Sequence, residues 1–362
     1  MTTTHRTHPD SNWFARFAIA AGLSLFTVCF FIALLGVVFL TVDDQRLSKY
    51  VSVLQSLDVR ADGSTVSLFW TMDESGQAGW QHHLALHAPD SQTPSPLISR
   101  QGVRPFAIAA GPDSNQLLLG TWDGQVQLLD LRNSQADPLC LGRQHDGAVT
   151  ALALTGDHTC VVSQSGFGLH AWNLASCQER WRIENLATNC FALRPDSSAV
   201  LVGTTDGRLL EIDLANGQIR RVVFRHHALI LGSTFSPDGT KLALMRSDST
   251  LLLLDGSTLT PLWERHIHRL DRTAPGRMTA FSPCSTLLVT AGQEDGSALC
   301  IWNANTGDQL RELRGHRKVV QGATFVTGRA LRSWAADGTI RVWDIESGTT
   351  QQIHELAPPK TS

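Results

Sequence analysis

Lysine is scarce in this chain of 362 residues, with only Lys49, Lys241, Lys318 and Lys360. That removes most candidates for Schiff-base or phosphate-cradling lysine chemistry. An excess of one charge sign is also missing, since 30 basic residues face 33 acidic ones. A nucleic-acid clamp driven by bulk charge is thereby excluded. The seven cysteines (Cys29, Cys140, Cys160, Cys177, Cys190, Cys284, Cys300) contain no Cys-x-x-Cys and no Cys/His spacing of the zinc type. They read as small buried hydrophobes rather than as a disulfide framework or a metal site. Helix-length periodic segments are lacking between the short apolar runs that follow residue 50, which argues against helical repeats and against a parallel βαβ sheet.

One long apolar run is present. From Ala18 to Val42 there are 25 residues without a charge, which as a helix would span about 37 Å, enough for a bilayer core with some tilt. No Ala-x-Ala-like cleavage site precedes Asp43 and Asp44, so an uncleaved transmembrane helix at 18–42 is expected rather than a signal peptide. It would follow an N-terminal tail at 1–17 and precede a tether at 43–52, making the protein single-pass in the membrane, with the lipid bilayer as a partner through Ala18 to Val42. Arg16 before the run and acidic residues after it lean towards an extracytoplasmic body, although the basic residues on the two sides are nearly balanced.

Two kinds of turn punctuate the rest. The first recurs at Arg60-Ala61-Asp62-Gly63, Gly111-Pro112-Asp113-Ser114, Thr155-Gly156-Asp157, Arg194-Pro195-Asp196-Ser197, Ser236-Pro237-Asp238-Gly239, Ser282-Pro283-Cys284-Ser285 and a degenerate Val326-Thr327-Gly328, at spacings of 39 to 51 residues. The second follows after a short apolar run, at Asp123-Gly124, Gly166, Asp206-Gly207, Asp248-Ser249, Asp295-Gly296 and Asp337-Gly338. Asp-Gly between short apolar runs is a hairpin signal, because the tight turn needs positive φ. Each unit therefore holds four short antiparallel strands. Seven such units predict an all-β, seven-bladed β-propeller over residues 53–356, with a C-terminal tail at 357–362.

The last unit, with Gly315-His316, Ser333 and Asp337-Gly338-Thr339-Ile340-Arg341-Val342-Trp343-Asp344, resembles the WD-repeat family in its full form. Units ending Trp172-Asn173 and Trp302-Asn303 are similar, whereas those ending Leu129-Asp130, Ile212-Asp213 and Leu254-Asp255 lack the tryptophan. The resemblance implies a buried tetrad of Asp337, His316, Ser333 and Trp343 with a structural role, although Ser, His and Asp together are also the ingredients of a hydrolase triad. It also implies an incomplete set in the third unit, where His145 and Trp172 are present but Gly166 and Val162 stand at the Asp and Ser positions. The strand from Thr349 to Glu355 is expected to complete the last unit from the C-terminus.

The expected innermost strands from the second unit onward (Phe106–Ala110, Val149–Leu154, Asn189–Leu193, Leu231–Phe235, Met278–Phe281, Gln321–Phe325) contain no Asp, Glu, His or Lys. A channel-facing active site is therefore disfavoured, and neither catalytic residue, metal nor cofactor is expected. Histidines at His82-His83 and His87, at His226-His227, and at His266 and His268 have no carboxylate or cysteine at ligand spacing and read as surface residues. The function implied is a membrane-anchored, non-catalytic scaffold that binds a protein or peptide and no nucleic acid. A membrane-anchored propeller enzyme or a quinoprotein-like redox-cofactor binder is the alternative. The family resemblance places the partner on the rim, where Trp122, Arg246, Ser247, Glu294, Arg317 and Lys318 are the candidate contacts, while Trp334 is assigned to packing.

Overall fold

The computed structural model describes residues 51–355 apart from 60–64, 73–79, 88–94, 99–104, 114, 134–138, 142–144, 268–278 and 293–295, and it describes few side chains between 51 and 98. The described strands form seven four-stranded antiparallel sheets, each made of four strands consecutive in the chain. Six of them, from Pro105 to Glu355, are built on the repeat, with strands of mostly five to seven residues. The first sheet departs from it. Its strands β1 (Val51–Val59) and β2 (Thr65–Met72) are nine and eight residues long and pair over eight positions, and no Asp-Gly joins β2 to β3 (Trp80–His87).

The expectation of a seven-bladed propeller behind a transmembrane helix is therefore corrected in two respects. Six blades follow the repeat and the first sheet is a divergent one, whose longer ladder does not depend on the tight second turn. No helix among the described residues is long and apolar enough to cross a membrane. The segment 18–42 lies outside the described residues, and the single-pass, extracytoplasmic localisation read from it has no support in the structure.

The innermost strands follow one another around a ring. β5 (Pro105–Ala110) neighbours β1 and β9 (Val149–Leu154); β13 (Thr188–Leu193), β17 (Ile230–Phe235), β21 (Thr279–Phe281) and β25 (Val320–Phe325) continue it, and β25 returns to β1. In the last blade, β28 (Thr350–Glu355) pairs with β27 (Thr339–Asp344), so the C-terminal strand completes its own blade.

Burial explains the strand sequences. The second strands β10 (Cys160–Ser165) and β14 (Ala199–Thr204) are buried at every position because a neighbouring blade covers each face, so polar alternation is lost. The outermost strand β12 (Gln178–Glu184) has one covered side and alternates, with Trp181 as its buried residue. The core is accordingly a series of wedges, each shared between neighbouring blades. Val66 and Leu68 pack with Ile108, Leu117 and Leu119, Val162 and Leu169 with Val200 and Leu210, and Leu201 and Leu209 with Leu242 and Leu252.

The outer strands add latches to these wedges. The Trp181 indole N–H donates to the Leu214 carbonyl of the next blade at 2.7 Å, and Trp263 repeats the contact with Ala304 at 3.1 Å. Beneath each ring lies a glycine of the next blade's last turn, Gly217 (φ 74°) or Gly307 (φ 73°), where a Cβ would come within 2.7 or 2.8 Å of the indole. Only glycine combines that φ with that approach. Arg311, at the matching register of the sixth blade, donates instead to the Ser347 carbonyl at 3.2 Å. At the fourth blade the equivalent Arg221 turns to buried Glu211 at 2.7 Å, which Arg194 also holds at 3.3 Å.

Replacing Trp263 by Ala is expected to cost about 3–5 kcal/mol in urea unfolding, the usual loss for a large buried aromatic. Trp263→Phe, which keeps the plane and loses the N–H, should cost about 1 kcal/mol. Equal losses for the two variants would show that the indole N–H alone carries the contact, and no loss in Trp263→Phe that ring packing alone does.

Candidate functional site

The loops between blades interlock into one continuous face. The loop entering a blade bonds the second turn of the blade before it, through His145 N–H to the Gly124 carbonyl, His226 N–H to Gly207 and Val320 N–H to Gly296. It also receives a bond from the second turn of its own blade, through Thr205 N–H to Ala187, Ser247 N–H to Leu229 and Ala336 N–H to Val319. Side chains on these loops are thus held by a fixed backbone.

The structure brings Asp337, His316, Ser333 and Trp343 together. Asp337 accepts from Arg317 N–H at 2.8 Å and from the Thr339 hydroxyl at 2.7 Å, and lies 3.2 Å from His316 Nδ1. A carboxylate there fixes the proton on Nδ1, so Nε2 accepts from the Ser333 hydroxyl at 2.7 Å, whose oxygen accepts the Trp343 indole N–H at 2.8 Å. Burial pushes the Asp337 carboxyl up, but the bonds from His316, Arg317 and Thr339 outweigh it and hold it well below the usual carboxylate range. Ser333 is fully buried and Trp343 is 1% exposed. These bonds tie the entering loop and the second turn to the second and third strands of the blade.

The third blade keeps part of the set. His145 Nε2 lies 2.7 Å from Ser163 Oγ, and Trp172 donates to the same oxygen at 2.8 Å. The Ser position is therefore Ser163, not Val162, a one-residue slip that alternation along a fully buried strand could not reveal. The hairpin is one residue shorter than in the last blade and has no aspartate, so His145 Nδ1 is buried without a hydrogen-bond partner. His170 stacks on the ring at 3.8 Å between centroids and faces Glu179 at 3.6 Å. Burial, and then the neighbouring His170, push the His145 pKa down to about 3. Among the described residues of the sixth blade, Trp302 donates to Thr290 Oγ1 at 2.9 Å.

The rim candidates are placed unequally. Trp122 is half-buried, with its ring against Phe106 at 5.5 Å. Arg246 is 7% exposed and is held between Glu264 at 2.8 Å and Asp248 at 3.2 Å. The Ser247 hydroxyl accepts Leu229 N–H at 3.0 Å. Arg317 is exposed and Lys318 half-buried, and Glu294 lies outside the described residues. Trp334 is buried, its ring lying over Gly322 of the innermost strand, where a Cβ would meet it at 2.1 Å.

Sequence reasoning missed two chemically distinct groups. Cys284 stands at the Asp position of its turn, in the hydroxyl cradle that holds Asp238 in the preceding blade, with Ser282 Oγ at 3.3 Å and Thr286 Oγ1 at 3.0 Å. Those hydroxyls lower its thiol pKa to about 7. The substitution of Cys for Asp in a Ser-Pro-x turn was its legible signal. The second group is Asp248 beside His226 and His227, which are separated in sequence and joined only by the fold.

This architecture is a WD-repeat-type β-propeller, and comparison with known proteins agrees. A chain in the crystal structure of the mitotic checkpoint complex superposes with a TM-score of 0.66 at 16% identity, over 80% of this chain and 89% of that one. Telomerase protein component 1 of Rattus norvegicus is 25% identical over 66% of this chain, apoptotic protease-activating factor 1 of Homo sapiens 25% over 67%, and nuclear distribution protein PAC1 of Arthroderma otae 29% over 43%. The aligned region spans only 9%, 19% and 35% of those relatives' own lengths. The family model described as outer membrane protein assembly factor BamB matches residues 123–354, and the chain belongs to that family.

Two outcomes are expected. His316→Ala or Asp337→Asn should each lower stability by about 1–3 kcal/mol in thermal or urea unfolding, because buried partners are left unpaired. For His145, the unfolded state binds the extra proton between pH 6.5 and the depressed folded pKa, so stability falls as pH falls through this window, by at most about 1.4 kcal/mol per pH unit. His145→Gln should flatten the profile between about pH 6.5 and 4.5, above the ordinary carboxylate range; superimposable profiles would contradict this.

Proposed function

We propose that the chain is a non-catalytic scaffold that binds a protein or peptide on the face made by the entering loops and second turns. The observation that carries this reading is the cross-bonding of those loops, which presents side chains on a pre-ordered surface and lowers the cost of ordering them on binding. The enclosure of Ser333 and His316 supports the same reading, because the constellation closest to a hydrolase triad is used within the blade. The WD-repeat relatives point in the same direction, since one matched chain comes from a structure titled as a multi-component complex.

Within that face we place the contact at Trp122, Arg317 and Lys318. An aromatic combined with one exposed and one half-buried basic side chain has the composition of an interface hot spot. Arg246 serves it indirectly, by fixing the turn that carries Ser247 through its pairs with Asp248 and Glu264.

The test is capture of partners by the full chain, followed by direct affinity measurement with the purified partner. Trp122→Ala and Arg317→Ala should each weaken binding by at least about 1 kcal/mol. Arg329→Ala, an exposed residue of the first-turn end of the last blade, should leave it unchanged. Loss of binding with Arg329→Ala and not with Arg317→Ala would move the site to the opposite face.

A further inference from the structure

The fifth blade retains half of the tetrad found in the last. His226 precedes β17 by the same four residues that separate His316 from β25, and Asp248 follows β18 (Lys241–Arg246) by the same two that separate Asp337 from β26 (Ala330–Ala335). The inner half is lost, because Leu244 occupies the register of Ser333 and Leu254 that of Trp343. With no hydroxyl to draw the imidazole inward, the polar pair stays at the surface. The side chains of His226 and Asp248 are 27% and 28% exposed, against 1% and 2% for His316 and Asp337. A second imidazole joins them, His227, whose ring centroid lies 4.1 Å from that of His226.

From this arrangement we infer that His226, His227 and Asp248 form a binding site for a divalent transition metal of the zinc class. Their donor atoms all lie within 4.8 Å of one another, a separation that side-chain rotation can close to the roughly 3.3 Å between ligands of a tetrahedral ion. Two imidazoles and one carboxylate are a donor set suited to zinc, cobalt or nickel rather than to calcium or magnesium. Three protein ligands leave at least one coordination position to water, on the side open to solvent.

The surroundings set the strength. His226 Nδ1, the atom 3.9 Å from the Asp248 carboxylate, now accepts Ala228 N–H at 3.0 Å, and coordination through that nitrogen replaces this bond. Arg246 lies 3.2 Å from Asp248, but its shorter contact, at 2.8 Å, is to Glu264, so the cluster of Arg246, Asp248 and Glu264 keeps one net negative charge to offset the cation. Occupation would tie the entering loop to the second turn of its blade as His316 and Asp337 do in the last.

The experiment is titration of the metal-stripped full chain with Co²⁺, read by visible d–d absorption and by calorimetry, with Zn²⁺ as competitor. One site is expected, weakened at least tenfold by His226→Ala, by His227→Ala and by Asp248→Asn, with unchanged affinity in His266→Ala. Far-ultraviolet dichroism and melting of each variant separate lost binding from lost folding, and His227, being exposed, is the variant least able to disturb the fold. No stoichiometric site in the wild-type chain, or three variants that bind Co²⁺ as the wild type does, would overturn the assignment. So would a His266→Ala variant impaired as much as they are.

Discussion

A sheet that is apolar on both faces cannot be stable alone, and every repeat-built blade here is such a sheet. Its second strand is buried throughout or at all but its first position, so each blade needs the next to cover it, and cohesion resides between units rather than within them. The latches of Trp181 on Leu214 and Trp263 on Ala304 make that dependence directional. An indole from one blade seats on a glycine of the next, and its N–H satisfies a turn carbonyl that would otherwise face an apolar ring. At the sixth blade, where tryptophan is absent, Arg311 reaches the turn carbonyl of the next blade instead.

The hydrogen-bonded tetrads then vary against this constant background. Among the described residues, the last blade has the full set, the third lacks the acid, the sixth has an indole on a hydroxyl, and the fifth keeps the outer histidine and aspartate. The variation is tolerated because wedges such as that of Leu201, Leu209, Leu242 and Leu252 hold without polar help. Each loss also changes what the face of entering loops and second turns displays. A missing inner hydroxyl exposes a histidine and an aspartate in the fifth blade, whereas a missing acid leaves a stacked histidine pair buried in the third.

The repeat was legible because its turns are chemically specific. Asp-Gly turns and the apolar runs between them located the strands of six blades to within a residue or two, and the full tetrad could be named from the resemblance of the last unit to the WD-repeat family. Three features were not legible, each for a physical reason. A fully buried strand has no polar alternation to fix its register, so Val162 was taken for Ser163. Latches join residues of different blades, and nothing local marks Trp181 as the partner of Leu214. The cluster of Asp248 with His226 and His227 spans an entering loop and a hairpin turn, so ligand spacing along the chain could not show it. The apolar run at 18–42 carried a membrane reading that no helix among the described residues supports.

If cohesion lies between blades, the latches cannot open without the ring. Native-state hydrogen exchange of the tryptophan indole N–H groups measures this directly, because Trp172 and Trp343 report the interior of a blade while Trp181 and Trp263 report its junction with the next. The account expects all four to exchange at a common slow rate, governed by global opening and equally sensitive to denaturant. Exchange of Trp181 and Trp263 by a faster, denaturant-independent local opening, with Trp172 and Trp343 still protected, would show that the blades stand on their own and the latches are incidental.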